Sequence, residues 1–167
     1  MLTTDDEATL LYLVHDKEHI GRRGEKIPAL DRAFRYLSED GKNLWRGLYE
    51  QEVNEITKLL QFGFNARWTL SHYTSFTEHR CVAEKFGNKK SLLQINSIRG
   101  FPLCKWAIDL HQKMKIENPK EYEQCDGDFL IETCEKEAEW LLIMGTPLRI
   151  INVIDEKEYR IYVAERA

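Results

Sequence analysis

Apolar side chains cluster between Glu7 and Val14 directly after Thr3, Thr4 and Asp5, and short polar residues in that position accept from the free amides of a first turn, so a capped helix is expected there. Gly21-Arg22-Arg23-Gly24 breaks the pattern, and the arginine pair reads as solvated loop charge. Ala29, Leu30, Phe34, Tyr36 and Leu37 predict a second amphipathic helix ending before Gly41. Leu44-Trp45-Arg46-Gly47-Leu48 reads as a short strand. Val53, Ile56, Leu59 and Leu60 then return to helical spacing, with Gly63 placed to stop the helix. A strand is expected from about Arg67 to Phe76, a short helix over Glu78 to Phe86, and a strand at Leu92-Leu93-Gln94-Ile95. Gly100-Phe101-Pro102 marks a turn before a helix over Trp106 to Met114. The polar stretch from Glu117 to Asp128, containing Pro119 and Gly127, is expected to be a long functional loop. Strands are expected again near Leu130, at Trp140, at Leu148-Arg149-Ile150-Ile151 and at Tyr159-Arg160-Ile161-Tyr162-Val163.

Helices leading and strands dominating later predict an α+β fold, with two packed, mostly antiparallel β-sheets flanked by helices. Residues 1–43 form a helical lead-in and 44–167 the core of one domain, and 167 residues are enough to bury it. The net charge of −4 disfavours broad electrostatic binding to nucleic acid or membrane, while leaving room for a local basic patch. Cys81, Cys104, Cys125 and Cys134 show no Cys-x-x-Cys pair and no neighbouring histidine at zinc spacing, so they read as reduced thiols and no metal is expected. The acidic start, Thr3-Thr4-Asp5-Asp6-Glu7, is unlike a signal peptide, and no apolar run approaches membrane-spanning length. A cytoplasmic location is expected, in the producing cell or in a target cell. No glycine fingerprint for dinucleotides and no phosphate-loop motif is present, so hydride transfer and ATP hydrolysis lack support.

The most informative segment is Glu137-Ala138-Glu139 ahead of Trp140-Leu141-Leu142-Ile143-Met144 and Gly145-Thr146. On an extended strand Glu137 and Glu139 would share a face, about 6–7 Å apart. Two carboxylates facing one cleft suit chemistry that generates a sugar cation beside a basic nucleophile: one stabilises positive charge while the other orients the attacking group. In chain order, an arginine on a short strand (Arg46), a Ser-x-Thr (Ser75-Phe76-Thr77) and a Glu-x-Glu before a Leu-Leu strand resemble the mono-ADP-ribosyltransferases of the Arg-Ser-Glu class. That class includes clostridial binary toxins, vertebrate ecto-enzymes, and phage and bacterial effectors. The resemblance covers roughly Leu44 to Ile154 and resides in order and spacing together, since each piece alone recurs by chance.

The resemblance implies NAD as substrate and transfer of ADP-ribose to a target protein, with release of nicotinamide. By match to the family's motif, Glu139 is the catalytic carboxylate on the nicotinamide ribose 2′-hydroxyl. Glu137 takes the place that engages the acceptor, where a glutamate goes with arginine, because a carboxylate holds a guanidinium bidentately. Glu135 shares their strand parity, and the Leu141-Leu142 and Gly145 spacing selects Glu137 and Glu139 over it. Arg46 matches the phosphate-binding arginine, Gly47 would let the ligand approach the backbone, and Ser75 would orient Glu139, with Thr77 standing for the second serine. Phe86 falls where the family places an aromatic against nicotinamide, although Val82, Ala83 and Phe86 equally describe a packed helix face. Lys89 or Lys90 would approach phosphate from the next loop, although a solvated lysine pair describes them at least as well, and Tyr122 falls where the family keeps a substrate-recognition turn, often with an aromatic. His72-Tyr73 does not fit the His-Tyr-Glu transferases, which carry these residues on separate strands. A toxin, effector or phage host-takeover setting is implied, with a monomeric enzyme and an immunity or inhibitor protein as a candidate partner. The alternatives are an NAD glycohydrolase, a transferase acting on nucleic acid, and a catalytically silent partner-binding domain.

Overall fold

The computed structural model describes residues 1–15, 25–64, 66–87 and 90–167; Arg22, Arg23 and Lys89 lie outside the described residues. The elements run α1 (Thr4–His15), α2 (Pro28–Leu37), β1 (Glu39–Gly47), α3 (Glu50–Leu60), β2 (Arg67–Thr69), β3 (Thr74–Thr77) and α4 (Arg80–Ala83). They continue with β4 (Ser91–Gly100), α5 (Leu103–Glu117), α6 (Pro119–Gln124), α7 (Gly127–Glu137), β5 (Glu139–Leu142), β6 (Pro147–Asp155) and β7 (Arg160–Arg166).

The α+β reading with mostly antiparallel pairing holds. The strands join into one seven-stranded order, β2-β6-β7-β4-β1-β3-β5, in which only β4 and β7 run parallel. A single pair, Trp45↔Thr77, links β1 to β3, whereas β1 and β4 pair along their length. The two expected sheets are thus one ladder, nearly divided at that pair. Side-chain alternation sends Leu93 and Ile95 to a core shared with Leu44, Leu148, Tyr162 and Ile56 of α3, and Leu92 to the opposite face with Ile161 and Val163. A second large core joins Leu10 and Leu13 of α1, Leu30 and Phe34 of α2, Cys104 and Ala107 of α5 and Leu130 of α7 to Phe101 and Leu141.

The predicted strand from Arg67 to Phe76 is two strands. Leu70 leaves the line by accepting from the Gly145 amide (2.8 Å) and donating to the Thr146 carbonyl (3.0 Å), so β2 pairs with β6 and β3 with β5. The expected loop over Glu117 to Asp128 is helical: α5 runs on to Glu117, Asn118 caps α6 and Pro119 opens it, while Leu130 lies in α7 instead of a strand. Asparagine and proline act here as helix-start residues, since proline at the first helical position forfeits an amide that has no partner anyway. Among the described residues, no helix is long and apolar enough to cross a membrane.

Polar contacts hold the two lead-in helices together and tie them to the rest. The Thr3 amide donates to Asp6 Oδ2 (2.9 Å) and the Asp6 amide to Thr3 Oγ1 (3.1 Å), a capping box for α1. Buried Asp6 also receives Arg32 Nε (2.9 Å) and Nη2 (2.6 Å) from α2. Ahead of β3, Tyr73 accepts from the Ile27 amide (3.0 Å) and donates to Asp31 Oδ1 (2.7 Å), and burial together with that bond pushes its phenol up to about 12.

Tyr73→Phe strips a partner from Ile27 and from a carboxylate, so urea unfolding should show a loss of about 1–3 kcal/mol with an unchanged m-value. Hydrogen bonds from Arg32 and Thr3 hold the Asp6 carboxyl below its ordinary 3.8. Its stabilisation is therefore complete above the unfolded value and fades as pH falls through and below 3.8. The melting-temperature gap between wild type and Asp6→Asn should be widest near neutrality and close toward pH 2 to 3; a gap constant with pH would remove the ion pair as its source.

Candidate active site

Strands β3 and β5 pair with Thr77 opposite Glu139 and Ser75 opposite Leu141, which sets Ser75, Thr77 and Glu139 on one face. The Ser75 hydroxyl donates to Glu139 Oε1, and Glu139 is 5% exposed. Glu137 differs from the expectation. It is the last residue of α7, so the shared face of an extended strand does not apply, and Glu135 lies exposed on that helix. The chain turns at Ala138, whose φ of 43° is left-handed and costs about 1–2 kcal/mol for a residue with a side chain. Three bonds hold the turn: the Ala138 amide to the Cys134 carbonyl (2.8 Å), the Glu78 amide to the Ala138 carbonyl (3.3 Å) and the Thr77 hydroxyl to the Glu137 carbonyl (2.6 Å). A helix end followed by a sharp turn thus brings the two carboxylates within 4.8 Å of each other.

Arg46, near the end of β1, faces the same space. Its Nε donates to Glu52 Oε1 (2.9 Å), its Nη2 lies 2.9 Å from the same oxygen, and Nη1 donates to the Ser75 carbonyl (3.1 Å). Glu52, in the first turn of α3, accepts at Oε2 from the Tyr49 amide (2.9 Å), and the Tyr49 ring centroid lies 5.8 Å from the guanidinium carbon. The arginine is therefore oriented before any ligand arrives. Packing within the protein already requires glycine at position 47: a β-carbon there would sit 2.4 Å from the carbonyl oxygens of Ala83 and Phe86. Gly47 lets the turn after α4 pack against the backbone of β1. That turn presents Phe86 at the cleft, 51% exposed, so core packing does not account for it.

The cleft holds about 560 Å³ and is lined by Arg46, Gly47, Ser75, Thr77, Phe86, Glu137 and Glu139, all singled out from sequence. Tyr122 is not among its walls. It is buried on α6, with its hydroxyl donating to Asp128 Oδ1 (2.6 Å) and its ring beside His111. Lys89 lies outside the described residues. The sequence reading missed Glu52 and Glu55 and set His72 aside; all three also line the cleft. Glu52 had a signal, a glutamate three residues after the residue preceding a helix, the spacing of a capping box. Glu55 Oε2 accepts from Trp68 Nε1 (3.0 Å) and His72 Nδ1 lies 3.1 Å from Ser71 Oγ, neither with a local signature. Burial, reinforced by nearby Arg46, pushes His72 below its ordinary value, so the imidazole is neutral at pH 7.

No protein-family model matches the chain, and no curated protein matches it by sequence. Its fold is that of the ADP-ribosyltransferases. HopU1 of Pseudomonas syringae pv. Tomato DC3000 superimposes with a TM-score of 0.53 at 15% identity over 83% of this chain and 50% of its own, so the chain spans about half the length of HopU1. Exoenzyme S from Pseudomonas aeruginosa, solved with human 14-3-3 protein beta and bound to carba-NAD, matches at 0.52 and 14% identity over 96% of this chain and 67% of its own. Vis, from Vibrio splendidus and in complex with agmatine, matches at 0.62 and 12% identity over 100% of this chain and 76% of its own.

Glu52→Ala leaves the Arg46 charge in the cleft wall without its carboxylate and should cost about 2–4 kcal/mol, below the full loss for a buried pair because the cleft admits water. Combined with Arg46→Ala, the double variant should be less destabilised than the sum by at least about 1 kcal/mol in urea titrations. Additive losses would mean that the pair contributes no coupling.

Proposed function

We propose that the protein is an NAD-dependent mono-ADP-ribosyltransferase acting on a protein arginine. The observation that carries this reading is the Ser75 hydroxyl bonded to the buried Glu139 in a cleft that also holds Arg46 and Glu137. Arg46, braced by Glu52 and the Ser75 carbonyl, offers a planar guanidinium to the diphosphate of NAD. Phe86, in the same cleft, offers a face for the nicotinamide ring, and Glu139 would hydrogen-bond the 2′-hydroxyl of its ribose.

When the glycosidic bond breaks, its electron pair leaves with the nicotinamide nitrogen and positive charge develops on the ribose. A fixed carboxylate held by Ser75 stabilises that charge without reorganising at the moment of reaction. Glu137, half-buried in the cleft lining, would hold an incoming guanidinium and take its proton as the nitrogen bonds to the ribose carbon. The ADP-ribosyltransferase fold, carba-NAD bound to Exoenzyme S and agmatine, a guanidinium compound, bound to Vis support this assignment of substrate and acceptor.

Incubating labelled NAD with protein extracts and mapping the modified residue tests the reading. Millimolar NAD should raise the melting temperature, because a ligand of the native state alone stabilises by mass action. Glu139→Gln keeps the shape, removes the charge and should reduce both protein modification and NAD hydrolysis by at least about 10²-fold, the scale of losing one transition-state electrostatic contact. Glu137→Gln should lose arginine modification while retaining NAD binding and some hydrolysis. Full transfer by Glu139→Gln would overturn its role, and NAD consumption with no protein acceptor would replace the transferase with a glycohydrolase.

A further inference from the structure

Cys104 belongs to no part of the reaction above, yet its thiol sits against the carboxylate pair. One ligand atom from each of Cys104, Glu137 and Glu139 lies within 4.8 Å of the other two. Two features of the fold produce this meeting. Phe101 and Leu141 exchange both backbone hydrogen bonds, each 2.9 Å, which sets the start of α5 beside β5, and Cys104 lies in that first turn. On the other side, the left-handed turn at Ala138 brings the end of α7 back toward Glu139.

We propose that Cys104, Glu137 and Glu139 form a binding site for a borderline-soft divalent cation, Zn²⁺, with water completing a four-coordinate shell. The donor set selects the ion. Calcium and magnesium require all-oxygen shells, whereas zinc accepts thiolate with carboxylate. Zinc bonds of about 2.3 Å to sulfur and 2.0–2.2 Å to oxygen put tetrahedral ligand atoms about 3.3–3.7 Å apart, so ligand atoms up to 4.8 Å apart need a contraction of up to about 1.1–1.5 Å. Half-buried Glu137 can supply that movement. On binding, the Cys104 thiol releases its proton to solvent and sulfur bonds to the metal as thiolate.

An outer shell is already in place. Ser75 donates to Glu139, and Thr77 holds the Glu137 carbonyl at 2.6 Å. Such partners orient ligands and strengthen a site. Glu137 and Glu139 line the cleft, which provides the entry path, while Cys104 and Glu139 are 2% and 5% exposed and complete the site from within. Zinc here occupies both carboxylates assigned to catalysis and so switches the cleft off; that consequence rests on the transferase reading, whereas the metal site stands on geometry alone.

The test uses Co²⁺ as a spectroscopic probe on the full chain carrying Cys81→Ala and Cys125→Ala, which removes the two exposed thiols. Saturable binding should appear with a thiolate-to-cobalt charge-transfer band that Zn²⁺ displaces. Cys104→Ala should abolish the band and weaken Zn²⁺ binding by at least about tenfold in calorimetry. A missing band, or one that persists in Cys104→Ala, overturns the site. Should Cys104→Ala fail to fold by circular dichroism, Glu137→Gln decides instead: at least about tenfold weaker binding supports the site and equal affinity overturns it. In turnover assays Zn²⁺ should suppress NAD consumption and a chelator restore it. A chain that binds cobalt through Cys104 but consumes no NAD would keep the metal site and fail the transferase reading, so the two failures remain distinct.

Discussion

Strand β3 is only four residues long, and the cleft depends on its being paired along both edges. One edge meets β5 through four pairs from Thr74↔Leu142 to Thr77↔Glu139, and the other meets β1 through Trp45↔Thr77. From this position β3 supplies the Ser75 hydroxyl to Glu139, the Ser75 carbonyl to Arg46 and the Thr77 hydroxyl to the Glu137 backbone. A slip of one residue would turn every one of these side chains to the opposite face. Buried Phe76, and Trp140 opposite it, resist such a slip by holding the other face in the core.

Charge in the cleft falls into two groups. Arg46 is paired with Glu52, while Glu137 and Glu139 stand close together. Arg46 is thus already oriented by its protein partners, and the carboxylate pair concentrates acidic groups at one place in the cleft. The same partition explains why a cation could compete for the carboxylate side. A neutral His72 beside Arg46 adds polar surface without a second positive charge.

The helical lead-in acts as a buttress for this arrangement. Tyr73, one residue before β3, binds α2 through Asp31 and the Ile27 amide, while α1 and α2 share a core with Phe101 and Leu141. Fixing the segment just before β3 limits the freedom of a very short strand. The glycine at 47 works alongside it, because the close approach of Ala83 and Phe86 to β1 sets where the aromatic stands.

Much of this was legible in the sequence. The 3.6-residue spacing of Ala29, Leu30 and Phe34, and of Val53, Ile56 and Leu59, marked helices, and the order of Arg46, Ser75 and Glu139 marked the cleft, because periodicity and motif spacing are local properties of the chain. Pro119 and Gly127 misled the reading of 117–128, since Pro119 opens α6 and Gly127 is the first residue of α7. The tertiary structure alone decided that Glu137 ends a helix, that Phe86 faces the cleft, that Tyr122 is buried away from it, and that Glu52 braces Arg46. It alone also set Cys104 against the carboxylate pair, more than thirty residues away along the chain. Such contacts depend on strand register and on the packing of distant segments, where the choice between alternatives is made by burial and hydrogen-bond satisfaction across the whole fold, and no local pattern records it.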